Sequence, residues 1–443
     1  MVAWSEKEVE SFRVELKKKL SQGDGELDLD EEKLKGAPIK VWRVICDALK
    51  ESKVEKLYLC VNYLANAPEA VWRLFCGALK ESNVEVLSLS DNKLGEAPSA
   101  VWRLFCGALK ESKVEALDLG DNKLGEAPEA VWRLFCGALK ESNVEVLSLN
   151  YNNLGEAPEA VWRLFCDALK ESKVRELDLS GNNLGKAPSA VWRSLCDAIK
   201  ELKVKECYLG YNNLGKAPEA VWRLICDALK ESEVKELVLS GNNLGEALEA
   251  VWELLCDALP RLNIKTLHLD DNDLGKMSET GWYLFCYALE RSNITTLRLS
   301  DNNLGEAPDI AWSLFSHAVK ESKVEKLYLP HNNLGKVPEA VWRLFCDALE
   351  GSNVTKLHLY ANQWGADITP KEEAEEIVAQ NRQRALDAEQ RARCLLFCHL
   401  HSAQTADQNP TATIGAIPTN VLDAHEVMQF AAKLYHKEPL DSL

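Results

Sequence analysis

The sequence predicts an α/β fold. It is a curved solenoid, shaped like a horseshoe, with parallel strands on the concave face, helices on the convex face and helical caps. Two observations predict it. A tryptophan recurs every 30 residues from Trp42 to Trp342, never slipping by a residue, and the unit around it repeats with it. Each unit also has two halves with different apolar periods, one helical and one alternating. A single strand–helix pair cannot bury its apolar side alone, so such units stack. Strands sit about 4.8 Å apart and packed helices about 8–10 Å apart, so the stack bends by roughly 15–20° per unit with the strands inside.

Residues 1–23 read as an N-terminal capping helix. Ser5 and Glu8 form a capping box, and Trp4 and Val9 are placed for a hydrophobic staple. The segment lacks the apolar stretch of a signal peptide. Residues 24–364 hold about twelve units. In the copy over 67–96, Pro68 is expected in the first helical turn, where its missing N–H would be unpaired anyway. Val71, Leu74, Phe75, Ala78 and Leu79 recur at helical spacing and form the apolar stripe. Trp72 lies at the stripe's edge, where stacked copies seal neighbouring helices. Glu69 and Arg73 make an outward (i, i+4) pair. Val84, Leu87 and Leu89 alternate as a half-buried strand does, and Asp91-Asn92-Lys93-Leu94-Gly95 turns the chain away. Residues 365–443 read as a C-terminal helical cap and appendage. Thr369, Pro370 and Glu372 open a polar helix. Ala374, Ile377 and Val378 cover the last unit, 402–418 is a softer stretch, and a second helix carries Val427, Phe430, Ala431 and Leu434.

The strand and turn read LxxLxLxxNxL eleven times, with the asparagine at Asn62, Asn92 and onward to Asn362. A degenerate twelfth copy, ELDLDEEKL, has Glu32 in that place. This pattern resembles the leucine-rich repeats, and the helical return limb with a period of 30 is similar to the ribonuclease-inhibitor-like class. The asparagine column is expected to be structural, because an amide both donates and accepts at a bend that leaves backbone groups unpaired. The near-identical copies also resemble leucine-rich-repeat effectors that intracellular bacteria deliver into host cells.

A chain of 443 residues could suggest three domains, but a solenoid core grows with length. The net charge of −17 argues against nucleic acid and an anionic membrane surface, and is compatible with a basic protein partner. No apolar run approaches the roughly 18 residues of a membrane span. Ten of the fourteen cysteines share one helix register, from Cys46 to Cys286 and then Cys346. Adjacent copies stand a helix spacing apart, about 8–10 Å, beyond the ~7 Å a disulfide tolerates between Cα atoms. Free thiols in a reducing compartment follow, so the location is read as cytoplasmic or the cytosol of a host. The sequons at Asn293 and Asn353 would be unused.

No enzyme or cofactor motif is present: no P-loop, GxGxxG, HExxH or GxSxG. The run DGELDLDEEK fails as a calcium loop because Lys33 stands where glycine is needed. Cys394, Cys398 and His401 share a helix face but lack a nearby fourth ligand, and no metal is assigned.

Positions alike in all copies serve the stack, so positions that vary can serve a partner. Side chains between the strand leucines point into the concave face. They run from Asp28, Asp118 and Asp178 in the first half to Tyr208, His268, Arg298, Tyr328 and His358 in the second. Tyr151, Tyr211, Asp271, Lys326, Lys356 and Tyr360 flank them. Large aromatics are seldom left in water without use. The candidate partner-binding residues are Tyr208, His268, Arg298, Tyr328, His358 and Tyr360, since such side chains combine area with a polar tip. The copies over 248–316 depart from the pattern at Leu248, Pro260, Ser278, Gly281 and Ser316. They are either older or shaped by contact. The expected function is a monomeric, non-enzymatic scaffold for a protein partner. Its resemblances also allow an inhibitor of a basic enzyme, or a regulator of a GTPase or ubiquitin ligase.

Overall fold

The computed structural model describes residues 4–21, 25–30, 34–202, 204–364 and 369–408, with the side chains of Ser21, Thr369 and 391–408 outside the description. Glu32 and the second helix expected near Val427 lie outside it as well.

Twelve three-residue strands, β1 (Glu26–Asp28) to β12 (Lys356–His358), form one parallel sheet among the described residues, in sequence order. The register never shifts: Leu57 faces Leu87, and Leu87 faces Leu117. Parallel neighbours need a crossover, and each is a helix. α1 (Glu6–Ser21) precedes the sheet, α2 (Ile39–Glu51) opens the series, and α13 (Thr369–Gln408) closes it. The strands stop early because the chain bends twice through the left-handed region, at Asp91 (φ 50°) and Lys93 (φ 58°) in one copy.

Between those two residues sits the asparagine. Asn182 is fully buried. Its Oδ1 accepts from the backbone N–H of Asn152 (2.9 Å) and Leu154 (3.1 Å) one unit earlier. Its Nδ2 donates to the carbonyls of Leu149 (2.9 Å), Leu179 (2.9 Å) and Ser180 (3.1 Å). The amide thus ties its own turn to the preceding one, as expected. The turns then close on each other. A Cβ at Gly95 would stand 2.3 Å from the carbonyl oxygen of Lys123, so that contact requires glycine.

Pro68 caps its helix from outside and is not in the first helical turn. Its ψ of 146° is extended, and its carbonyl accepts from Val71 N–H at 2.8 Å. The missing N–H is equally harmless one residue earlier. Trp72 is 2 % exposed, and its indole N–H donates to Leu64 O at 3.0 Å. Its ring meets Phe75 edge-on at 6.0 Å and Phe105 of the next unit at 6.1 Å. The column is core, as expected. The Glu69–Arg73 pair forms at 2.6 Å, and a second ladder joins Lys80 to Glu111 of the next unit at 2.8 Å. Both are exposed and contribute tenths of a kcal/mol at most.

Several departures in the atypical copies are accommodated locally, by a neighbouring substitution or a hydrogen bond. Gly281 replaces the helix valine, and Met277 replaces the preceding alanine. A Cβ at Gly281 would lie 2.7 Å from Met277 Cγ, so the larger thioether fills what the smaller residue vacates. Ser278 stands in for the proline and accepts from Gly281 N–H through its hydroxyl. Ser316 replaces cysteine and donates to Trp312 O at 2.7 Å. Pro260 ends the regular helix Glu249–Ala258 in a short 3-10 turn, Leu259–Arg261.

At the N-terminal end, Ser5 N–H donates to Glu8 Oε2 at 2.6 Å and Glu8 N–H to Ser5 Oγ at 3.2 Å, completing the capping box. The Trp4 ring meets Phe12 at 5.7 Å. At the other end, Ala374 and Val378 are buried against the last unit, and Asn381 Nδ2 donates to Leu349 O at 2.8 Å and Val354 O at 3.2 Å. The Trp342 indole donates to Pro370 O, across the junction into α13. α13 runs on through 402–408, where a softer stretch was expected.

Twelve cysteines among the described residues are free. Burial pushes the Cys46, Cys76 and Cys166 thiols up to about 12.

Two expectations follow from the buried columns. Asn182→Ala strands backbone groups of two units and should lower the unfolding free energy by about 1–3 kcal/mol in urea titration, with no spectroscopic change at the concave face. Thiol titration should find nearly all fourteen cysteines in denaturant without reductant, and few in the native state. A denatured count near zero contradicts the reducing assignment.

Candidate protein-binding surface

The concave face carries three side-chain columns per strand: one before the strand leucine, one between the two leucines, and one after the second. Each column steps one strand per unit, about 4.8 Å.

The centre is acidic. Glu176, Glu206 and Glu236 face one another on adjacent strands in the first column. The Tyr208 hydroxyl donates to Glu206 Oε2 at 2.7 Å. Partial burial, then the neighbouring Glu206 carboxylate, holds Glu176 and Glu236 above the usual carboxylate range. Burial and the Glu206 hydrogen bond push the Tyr208 phenol far up. Tyr208 therefore belongs to this carboxylate ladder.

Next come His268 and Arg298, and both already have partners. His268 Nε2 lies 3.1 Å from Glu236 Oε1. Burial first, and then the Arg298 charge, lowers the imidazole's pKa, with Asp270 opposing the shift. Arg298 Nε donates to Asp270 Oδ2 at 3.2 Å, while Asp270 Oδ1 accepts from Ser300 N–H at 2.8 Å. The positive charge that Arg298 brings to this half is thus largely neutralised in the middle of the sheet.

Beyond Arg298 the rings gather. Its guanidinium lies over Tyr328 at 5.2 Å, and Tyr328 stacks on His358 at 4.5 Å with an 11° interplanar angle. Tyr360 stands edge-on to His358 at 6.4 Å and to His331 at 5.7 Å. Lys356 reaches over Tyr328 at 5.8 Å, and Lys326 is its register neighbour; both are exposed. Tyr360 is 58 % exposed. Burial, then Lys356, keeps His358 below the usual imidazole range. Arg298, Tyr328, His358 and Tyr360 therefore form one contiguous cluster. His268 is the register neighbour of Arg298 and borders the cluster, while Tyr208 lies on the acidic side.

Reading the sequence singled out the column between the leucines and overlooked the Glu176–Glu206–Glu236 ladder two residues earlier. The same 30-residue alignment contains that signal: three consecutive units place glutamate at one half-buried strand position. The trio Cys394, Cys398 and His401 lies outside the described side chains.

A sequence profile for the Leucine Rich Repeat matches residues 173–195, which cover a strand, its asparagine turn and the start of the next helix. No curated protein matches the chain. Among solved structures, the leucine-rich repeat-containing protein LegL7 from Legionella pneumophila is similar at a TM-score of 0.50 and 19 % identity, over 81 % of this chain and 97 % of that one. The fold is a leucine-rich-repeat solenoid. A chain from the Rad7 and Elc1 complex of yeast overlaps with a TM-score of 0.47 and 12 % identity, over 84 % of this chain and 86 % of that one. No described helix of the solenoid is long and apolar enough to cross a membrane.

The ladder makes a pH prediction. Glu176 and Glu236 titrate higher in the fold than in the unfolded chain, so they favour the fold below the unfolded value of about 4.3 and this is lost as pH rises through their folded values. Glu206→Gln removes the charge between them and still accepts from Tyr208. It should raise Tm more at pH 7 than at pH 4, and NMR titration should show both neighbours moving down. Equal Tm gains at both pH values would mean that the three carboxylates are not coupled.

Proposed function

We propose that this solenoid is a non-enzymatic scaffold whose concave face binds a protein partner, with residues 1–23 and 365–443 serving as end pieces. The observation that carries the reading is the ring cluster on the last strands. Tyr328, His358 and Tyr360 are held in one stack-and-edge arrangement and bracketed by Arg298 and Lys356. Stacked rings lose little freedom on binding and offer area with polar tips, the character of interface anchors. The surface suits a partner with an acidic rim and an apolar centre. Tyr208 and His268 form its border with the carboxylate ladder. A reducing cytosol, the cell's own or a host's, agrees with the buried thiols, and the fold likeness to a Legionella pneumophila protein is compatible with the host case.

The ladder favours a second reading. Glu176, Glu206 and Glu236, with Asp178 beside them, offer a basic protein several carboxylates on adjacent strands. That is the geometry an inhibitor of a basic enzyme would use.

Capture from host-type lysate, followed by affinity measurement with the captured protein, tests both. Tyr328→Ala and Arg298→Ala should each weaken binding by more than about 1 kcal/mol without unfolding the chain. Asp118→Ala with Asp178→Ala should mainly change the on-rate and salt dependence. If the aspartate pair abolishes binding and the Tyr328 and Arg298 variants do not, the basic-partner reading replaces the first.

A further inference from the structure

One column of the solenoid reaches the ring cluster only at its far end, through His331. It is the first left-handed residue of each turn, just beyond the strands. The parallel ladder still holds there: Tyr151 N–H donates to Ser180 O at 2.8 Å, Gly181 N–H to Gly210 O at 2.9 Å, and Tyr211 N–H to Ser240 O at 2.7 Å. Successive positions are therefore about one strand apart, ~4.8 Å.

The middle of this column reads tyrosine, glycine, tyrosine, glycine: Tyr151, Gly181, Tyr211, Gly241, all at positive φ. Each tyrosine lies against the glycine that follows. A Cβ at Gly181 would fall 2.4 Å from Tyr151 Cδ1, and one at Gly241 would fall 2.3 Å from Tyr211 Cδ1. Glycine enters the described column only where a tyrosine precedes it, so the rings have shelves made for them. The tyrosines nevertheless remain 51 % and 46 % exposed, and a bulky residue at a left-handed φ is strained. Tyr211 is tied to Asp271 by a hydrogen bond, and both rings still leave about half of their surface open to a partner.

The shelf is bounded by charge. Asp91 and Asp121 occupy the two positions before it, and Asp271 and Asp301 the two after. Burial, and then the like charge of Asp121, raises the Asp91 carboxyl, with Lys93 opposing the shift.

The two rings are two strands apart, about 9.6 Å. A polyproline II helix turns every three residues with a rise of about 3.1 Å, so prolines three apart present their rings on one side every ~9.3 Å. A β-strand shows one side at about 6.6 or 13 Å and does not match. We propose that the turn edge of the solenoid binds a proline-rich, polyproline II segment of a protein. Its prolines, three apart, rest on Tyr151 and Tyr211, and its basic ends meet the aspartate pairs. Such a helix is already extended and loses little freedom on docking against aromatic rings. This surface is separate from the ring cluster.

The test uses the full chain and a fluorescent synthetic peptide with proline at about every third position and arginines at both ends. Binding by anisotropy should saturate and weaken with salt. Tyr151→Gly with Tyr211→Gly keeps the turns folded, since glycine is at home at these φ values, and should weaken binding about tenfold. Peptides of equal charge with glycine in place of proline, or built as an alanine-rich helix, should lose a similar factor. Tyr328→Ala should leave peptide binding unchanged, which separates this site from the concave anchors. The proposal is overturned if the peptide does not saturate, if either control peptide binds within about twofold of it, or if the tyrosine variant binds as the parent does.

Discussion

The buried asparagine amide is the interaction on which the rest of the solenoid depends. A parallel sheet of three-residue strands has too few ladder bonds to hold its edges, and the chain must leave it through two left-handed residues. Both conditions expose backbone donors and acceptors to an apolar interior. Asn182 and its copies meet them with one side chain, accepting two N–H groups of the unit before and donating to carbonyls on both sides. Because each amide serves two units, no unit is complete alone. The exact register of the strands, the 2.3 Å constraint at Gly95 and the placement of every concave side chain follow from that shared bond.

The same register makes the concave face a set of aligned columns, and its electrostatics come from neighbours one strand apart. This mutes the positive charge of the C-terminal half. His268 sits beside Glu236, and Arg298 beside Asp270, each partner supplied by the adjacent unit. The free area lies at the end of the sheet, where Tyr328, His358 and Tyr360 gather.

Features carried by a single unit or by the period were legible in the sequence. The period fixed the stack, the alternation fixed which leucines turn inward, and Ser5 with Glu8 announced the capping box. The asparagine and tryptophan columns could be assigned because a residue repeated at one place in an apolar frame must serve the packing of that frame. Contacts between columns were harder to see. The partners of His268 and Arg298 lie about 30 residues away in different columns, and reading one column at a time hides them. The sequence marks Gly281 as a departure, and only the three-dimensional packing pairs it with Met277, which fills the space it leaves. Pro68 is displaced by one residue because a proline suits both sides of a helix start. The continuation of α13 through 402–408 had no apolar period to betray it.

Near-identical units bring a hazard for the folding chain: a turn can dock on the wrong copy. Any asparagine amide can bridge to any other turn, so skipping one unit and looping it out would still satisfy most hydrogen bonds. The tyrosine–glycine shelves work against that error. If the unit holding Gly181 were skipped, Tyr151 would find Tyr211 where it needs a bare Cα, and two rings would contend for one space. Met277 and Gly281 likewise tag their own unit. A few mismatched side chains thus serve as serial numbers in an otherwise interchangeable series, and they tell the chain which neighbour comes next.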